Sequence, residues 1–204
     1  MIVIIDYGMG NLRSIIKAFE RLNIKTIVSS KKTDIDKADK LILPGVGHFG
    51  TGMKNLYSLG IIDLLLKKIT VDKIPILGIC LGLQLFTQSS EEGNINGLGL
   101  IDAKTIRFNF ADKSDNLKVP HMGWNSAIIQ KENKLLNSVN NEELFYFVHS
   151  YHIKCSDKND VLTYTTYGYK FASSIQKENI YGTQFHPEKS HSAGLRILQN
   201  FSRI

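Results

Sequence analysis

Hydrophobic positions fall into two textures along the chain. As far as about Leu85, short apolar runs alternate with stretches of helical period. Ile2 to Ile5 is apolar throughout and rich in β-branched residues, which reads as a buried parallel strand. Leu12, Ile15, Ile16, Phe19 and Leu22 then recur at the spacing of one helix face. Further strands are expected over Lys25 to Ser29 and Lys40 to Leu43. Helices are expected over about Thr51 to Leu59 and Ile61 to Ile69. The run from Ile74 to Ile79 is another strand, and a helical pattern starts at Leu81. Strand and helix in alternation predict an α/β fold, a doubly wound sheet with right-handed crossovers. Sites in such sheets lie beyond the carboxyl ends of the strands.

From about Leu98 the texture changes. Short apolar segments are punctuated by turns: Leu98 to Phe108, Val119 to Ile129, Leu144 to Ile153, Val161 to Tyr167, Phe171 to Gln176 and Ile180 to Gln184. These predict antiparallel or mixed strands added to the parallel sheet. A final helix is expected over about Ala193 to Phe201. Ala111 to Asn116 and Lys131 to Asn141 read as polar loops. No repeat, low-complexity tract or linker divides the chain, so 1–204 is expected to be a single domain.

Composition narrows the classes. The hydrophobic share of 43% and charged share of 22% are ordinary for a globular domain. The net charge of +6 is spread over scattered lysines, such as Lys31-Lys32 and Lys67-Lys68, without an arginine-rich run. That does not favour nucleic acid as a partner. Two cysteines, Cys80 and Cys155, are too few for a disulfide framework and suit a reducing compartment. The start, Met1 to Asp6, lacks the basic stretch of a signal peptide, and no apolar run is long enough to span a bilayer. The expected setting is the cytoplasm, with no membrane partner.

Cys80 changes the picture most. It sits where the Ile74 strand meets the Leu81 helix, flanked by Gly78 and Gly82. This G-x-C-x-G frame is the thiol version of a nucleophile elbow, in which a sharp turn lifts the side chain out of the sheet. A helix N-terminus there also favours an anion. The bland alternative is a buried structural cysteine. A thiol nucleophile needs a base, and the base an orienter. Gln184-Phe185-His186-Pro187-Glu188 follows a strand, and Pro187 biases His186 toward extended backbone. Residues two apart then share a side, so Glu188 can fix the imidazole. By itself His-x-Glu is a common pattern; its pairing with the Cys80 elbow gives it weight. Attack on a carbonyl also needs two N–H donors for the oxyanion. Leu81 offers one, and the Pro44-Gly45-Val46-Gly47 loop offers another at Val46, because glycine lets a peptide plane turn or flip.

Other features carry less. Gly45-Val46-Gly47-His48-Phe49-Gly50 spells a dinucleotide fingerprint, but neither Asp63 nor Asp72 caps a second strand at the required distance. His121, His149, His152 and His191 lack the helical spacing or cysteine pair of a zinc site, so satisfied polar roles are expected. Trp124 is either core or a partner-facing anchor.

Gly78 to Gln84 together with Gln184 to Glu188 resembles a class I, triad glutamine amidotransferase. Asp6 to Ser14, Leu43 to His48, Pro120 to Asn125, Val148 to Tyr151 and Gln184 to Ser190 resemble the glutaminase subunit of imidazole glycerol phosphate synthase. The likeness runs from Ile2 to Phe201. It implies a flavodoxin-like amidotransferase fold, a mixed and mostly parallel sheet flanked by helices. It implies a catalytic triad of Cys80, His186 and Glu188, an oxyanion hole at Val46 and Leu81, and glutamine held by Gly47, Gln84, Glu92, Ser150 and Tyr151. No cofactor or metal is implied. The implied partner is a (β/α)8-barrel cyclase subunit, docking at Asn11, Arg13, Pro120, Trp124 and Tyr146 in a heterodimer. Ammonia would pass to the barrel for imidazole glycerol phosphate and aminoimidazole carboxamide ribotide formation in histidine synthesis. The subunit alone is expected to be nearly idle, its Gly45-Val46 N–H turned away until the partner docks. Paralogues of the same subunit amidate surface-polysaccharide amino sugars, which is the alternative acceptor.

Overall fold

The computed structural model describes residues 1–110 and 117–204, so the expected loop at Ala111 to Asn116 lies outside the described residues. The first part alternates β1 (Ile2–Ile5), α1 (Leu12–Arg21), β2 (Thr26–Ser29), α2 (Lys32–Asp36), β3 (Lys40–Leu43), α3 (Phe49–Leu59), α4 (Ile62–Leu66), β4 (Ile76–Ile79) and α5 (Leu81–Leu85). The second part is strand-rich: β5 (Ser89–Ser90), β6 (Ile95–Asn96), β7 (Ala103–Arg107), β8 (His121–Ser126), β9 (Ile128–Ile129), β10 (Leu144–His149), β11 (Tyr151–Cys155), β12 (Val161–Tyr167), β13 (Tyr169–Lys177) and β14 (Ile180–Thr183). It closes with α6 (His191–Arg203).

The main sheet runs β2-β1-β3-β4-β14-β13-β11-β7-β5-β6, with β12 and β9 branching from β13. Its core, β2 to β14, is parallel; β13, β11 and β7 then pair antiparallel. This is the expected α/β sheet with antiparallel strands added in the second half. β8 and β10 form a separate antiparallel ribbon.

Strand alternation divides the core. Val3, Ile5, Leu41, Leu43 and Ile76 face one apolar cluster, which α3 and α4 cover with Phe49, Met53, Leu56 and Leu65. Ile2, Ile4, Ile42, Leu77 and Ile79 face the other, which α1 and α6 cover with Ile15, Phe19, Ile197, Leu198 and Phe201. Both faces being buried explains why these strands read as continuous apolar runs.

The placement of β14 matters most for the site. It lies parallel beside β4, with Thr183 opposite Ile79. Residues just past β14 therefore meet residues just past β4 at one carboxyl edge, across a sequence gap of about one hundred positions.

Several elements differ from expectation. α5 has only five residues. The helix expected over Ile61 to Ile69 becomes a π-turn at Lys67–Val71. The segment Leu144 to Ile153 is two strands broken at Ser150, which belong to different sheets. The stretch Lys131 to Asn141 is not wholly a polar loop: a 3-10 turn at Lys134–Leu136 buries Leu135 and Leu136 against α6. Short α2 and the two-residue strands β5 and β6 carry too few residues for periodicity to reveal.

Candidate active site

Cys80 has φ 53° and ψ −107°, a conformation that non-glycine residues rarely adopt. Such strain costs about 1–3 kcal/mol and persists only where packing enforces it. The enforcement is visible. The Cys80 N–H donates to Thr183 O at 2.7 Å, and its carbonyl accepts from Gln84 N at 3.2 Å. A Cβ at Gly78 would lie 2.6 Å from the Phe86 ring and 2.7 Å from Leu83 N, and one at Gly82 would collide with the Leu43 carbonyl. The glycine frame read from the sequence is thus a packing requirement of the elbow.

His186 is 1% exposed and follows β14. Its Nδ1 lies 2.8 Å from Glu188 Oε1, and both side chains are buried. The expected contact is present, but the backbone route is different. Pro187–Lys189 is a 3-10 turn rather than an extended segment, so Glu188 reaches the ring by a tight turn. Because the carboxylate only accepts, Nδ1 carries a proton. Nε2 is buried and makes no hydrogen bond. Burial pulls the imidazole down, but the Cys80 sulfur and Glu188 reverse this and hold it up at about 10. The carboxylate and the sulfur beside the ring favour its protonated form, the form that can give a proton to a leaving amine.

The two N–H groups expected as oxyanion donors do not both face one point. Leu81 N–H donates to Gly45 O at 3.3 Å. In a trans peptide the C=O and N–H point opposite ways, so the Val46 N–H faces away from Leu81. The loop is held from below: the buried Tyr7 hydroxyl donates to Pro44 O at 2.6 Å. Gly45 is closely confined, since a Cβ there would lie 2.8 Å from Leu81 Cβ.

A cavity of about 190 Å3 opens on Cys80. It is smaller than the roughly 300–1,000 Å3 of drug-sized pockets and suits one small molecule. Val46, Gly47, Leu81, Gln84, Ser150 and Tyr151 line it, so most of the residues expected around the substrate are brought together. Glu92 lies off this wall, where its Oε2 accepts from Phe49 N at 2.7 Å at the start of α3. Gln84 is 5% exposed and its Nε2 donates to Tyr151 O at 2.9 Å and to Gln184 Oε1 at 3.1 Å. A larger cavity of about 770 Å3, between Asn133, Lys134 and Arg203, includes no residue of this set.

The sequence pattern did not single out Gln184 or Val148. Gln184 Nε2 lies 3.6 Å from Cys80 Sγ, and Sγ lies 4.0 Å from Val148 O. Gln184 is fully buried two residues before His186, and its polar side chain there needs a partner.

Three further histidines are buried, and His149 among them lines the cavity. His149 Nδ1 lies 2.7 Å from Tyr151 O, His121 Nδ1 lies 3.1 Å from His149 Nε2, and His152 Nε2 lies 2.9 Å from Tyr169 Oη. Burial pushes His121 and His152 down to about 4, and His149 well below its ordinary value. They are neutral, hydrogen-bonded core groups, as expected. Among the described residues no group of His, Cys, Asp or Glu is arranged to hold a metal ion.

Trp124 is 44% exposed, which favours the partner-facing reading over the core. It is the cross-strand partner of Tyr146 and stacks on His191 with ring centroids 4.8 Å apart. Met122, two residues away on the same strand, is 64% exposed. Pro120, Asn11 and Arg13 are exposed, and Asn11 caps α1 through Ser14 N at 3.3 Å. α1, which carries Arg13, packs against the Pro187–Lys189 turn.

The family model for "Glutamine amidotransferase class-I" matches residues 3–204. A relative from Methanococcus maripaludis, "Imidazole glycerol phosphate synthase subunit HisH 2", is 50% identical over 98% of both chains. A HisH 1 subunit from Campylobacter jejuni is 48% identical over the full length of both. A solved structure titled "Crystal structure of glutamine amidotransferase" superposes with TM-score 0.74 at 18% identity, covering 98% of each chain, which supports the fold. On this end-to-end similarity, the chain belongs to the class-I glutamine amidotransferases and, within them, to the HisH subunits of imidazole glycerol phosphate synthase.

Proposed function

We propose that this chain, one amidotransferase domain over 1–204, is the glutaminase subunit of imidazole glycerol phosphate synthase. The observation that carries the reading is the strained Cys80 elbow beside a buried His186–Glu188 pair at 2.8 Å, over a cavity sized for a small substrate. Cys80 attacks the side-chain amide carbon of glutamine, forming a C–S bond. Collapse of the tetrahedral adduct breaks the C–N bond, and His186 gives its proton to the departing ammonia. Neutral His186 then takes a proton from water, which attacks the thioester and releases glutamate and the thiol. Glu188 keeps Nδ1 protonated and the ring oriented throughout.

Ammonia is protonated in neutral water and loses its nucleophilicity, so the product is passed directly into a cyclase partner, a (β/α)8 barrel. Exposed Trp124 and Met122, with half-buried Tyr146 against the Trp124 ring, offer the aromatic and apolar contacts that such docking needs. There the ammonia completes imidazole glycerol phosphate. The surface-sugar acceptor receives no support from the relatives named above. Among the described residues no helix is long and apolar enough to cross a membrane. We place the subunit in the cytoplasm with its substrates.

The decisive test is Cys80→Ala in the assembled complex with the cyclase. Glutamine-dependent synthesis is abolished while synthesis from added ammonium continues; retained glutamine use would overturn the assignment. Supplying the sugar acceptor in place of the cyclase substrate separates the two pathways.

The Leu81 N–H to Gly45 O contact supports an idle resting state. Withdrawing one oxyanion donor lowers turnover about 10²–10³-fold, so the isolated subunit should hydrolyse glutamine at least about 10²-fold more slowly than the complex. Equal rates would remove the peptide-flip reading.

A further inference from the structure

The hydrogen bonds behind Cys80 form a directed chain, and their donors can be assigned from chemistry alone. The Tyr151 carbonyl only accepts. The Gln84 atom facing it at 2.9 Å is therefore the amide nitrogen. That nitrogen also lies 3.1 Å from the Gln184 side chain, so the Gln184 atom facing it is the oxygen. The other arm of the Gln184 amide, 3.6 Å from Cys80 Sγ, is then NH2 and donates to the sulfur. On the opposite side of the same carbonyl, His149 Nδ1 at 2.7 Å carries the proton, so its Nε2 accepts. His121 Nδ1, 3.1 Å away, must donate to it, leaving His121 Nε2 to accept from Asn125 Nδ2 at 3.3 Å. Asn125 Nδ2 is fixed in turn by Thr166 O at 3.0 Å.

We propose that Gln184 is a positioning residue for the nucleophile, aimed by Gln84 and the Tyr151 carbonyl so that its amide N–H rests on the Cys80 sulfur. This rests on the glutaminase reading and goes beyond the triad. Gln184 is fully buried and cannot turn its amide without placing two oxygens or two nitrogens against each other at Gln84. An N–H held on the sulfur fixes the direction of attack and gives a thiolate formed in the reaction a donor. The Val148 carbonyl, 4.0 Å from Sγ, gives the neutral thiol an acceptor, so the side chain is held in either form. The other titratable groups facing this sulfur, among the described residues, are His186 after β14 and Tyr7 after β1. His149 lines the same cavity from β10.

Two near-isosteric variants test this. Gln184→Met removes the donor and keeps the volume; Gln184→Glu keeps the acceptor toward Gln84 and presents an oxygen to the sulfur. In the complex with the cyclase, both should alkylate at Cys80 about tenfold or more slowly with iodoacetamide at neutral pH, read by peptide mass. kcat for glutamine should fall by a similar factor and KM should stay within about twofold, the scale of one lost hydrogen bond to a charged group. A merely structural role predicts the reverse sign, because a loosened site exposes the thiol and speeds alkylation. Alkylation at or above the wild-type rate in both variants overturns the proposal. Should position 184 tolerate neither residue, Gln84→Met frees the Gln184 amide and must slow alkylation alike, and a wild-type rate there overturns it too. If wild-type complex itself turns over no glutamine, the glutaminase reading fails, while the alkylation comparison still reports on Gln184.

Discussion

The molecule holds two populations of buried histidine that differ only in their company. His186 has a carboxylate at 2.8 Å and a thiol beside it, and is raised to about 10. His121, His149 and His152 have carbonyls, a phenol, an amide and each other, and all are lowered. Burial pushes every one of them toward neutrality. Charged neighbours decide which one keeps its proton. The lesson is that burial alone does not decide the charge of a ring; a carboxylate and a sulfur beside it reverse what burial does.

The largest effect expected on this contrast is from removing the charged ring. His186→Asn should lower kcat with glutamine by about 10²–10⁴-fold, the usual contribution of a positioned acid and base. Steady-state assay of the complex checks it, and a loss under tenfold would place the proton elsewhere. Glu188→Gln should be nearly as severe, about 10²-fold or more, because the amide can hold the ring with the wrong nitrogen protonated. NMR titration of His186 should show its pKa falling from the raised value toward the ordinary one. No movement would mean that Cys80 alone holds the charge.

The two populations also pull stability in opposite directions with pH. The lowered histidines bind fewer protons folded than unfolded. Their contribution is complete above the unfolded value of 6.5 and is lost as pH falls, through about 4 for His121 and His152 and well below 6.5 for His149. The slope is about 1.4 kcal/mol per pH unit for each histidine involved. His186 binds its proton more tightly folded than unfolded, so its contribution is complete below 6.5 and is lost as pH rises through about 10. Urea unfolding from pH 4 to 9 should therefore peak near pH 6.5, with the steeper flank on the acid side. Leveling between pH 6.5 and 4 would mean that the three rings are not buried neutral. The smallest effect is Tyr169→Phe, which removes the hydroxyl facing His152 Nε2 at 2.9 Å. It should cost about 1–2 kcal/mol, read from the same unfolding curves, and steepen nothing on the basic side.

The sequence revealed these regions unevenly. The Cys80 elbow was legible because steric confinement leaves a local trace: only glycine fits at 78 and 82. The apolar strands β1, β3 and β4 were legible because both their faces are buried. The His186–Glu188 contact was legible, but its geometry was not, since Pro187 starts a 3-10 turn as readily as it extends a strand. The break at Ser150 was hidden inside an apolar run, because hydrophobicity is the same on both sides while the pairing partner changes from β8 to β7. Gln184 and the His121–His149 link were least visible. Their meaning comes from contacts 28 to 104 positions away in sequence, which no local pattern records.

The Gly45 carbonyl resting on Leu81 has one further consequence. A cell seldom makes two subunits in equal number at every moment. If the proposed resting state holds, a copy of this chain waiting for its partner would spend little glutamine and release little stray ammonia. On the proposed resting state, the two genes could then drift in expression with little waste, the control lying in one peptide plane rather than in matched protein levels.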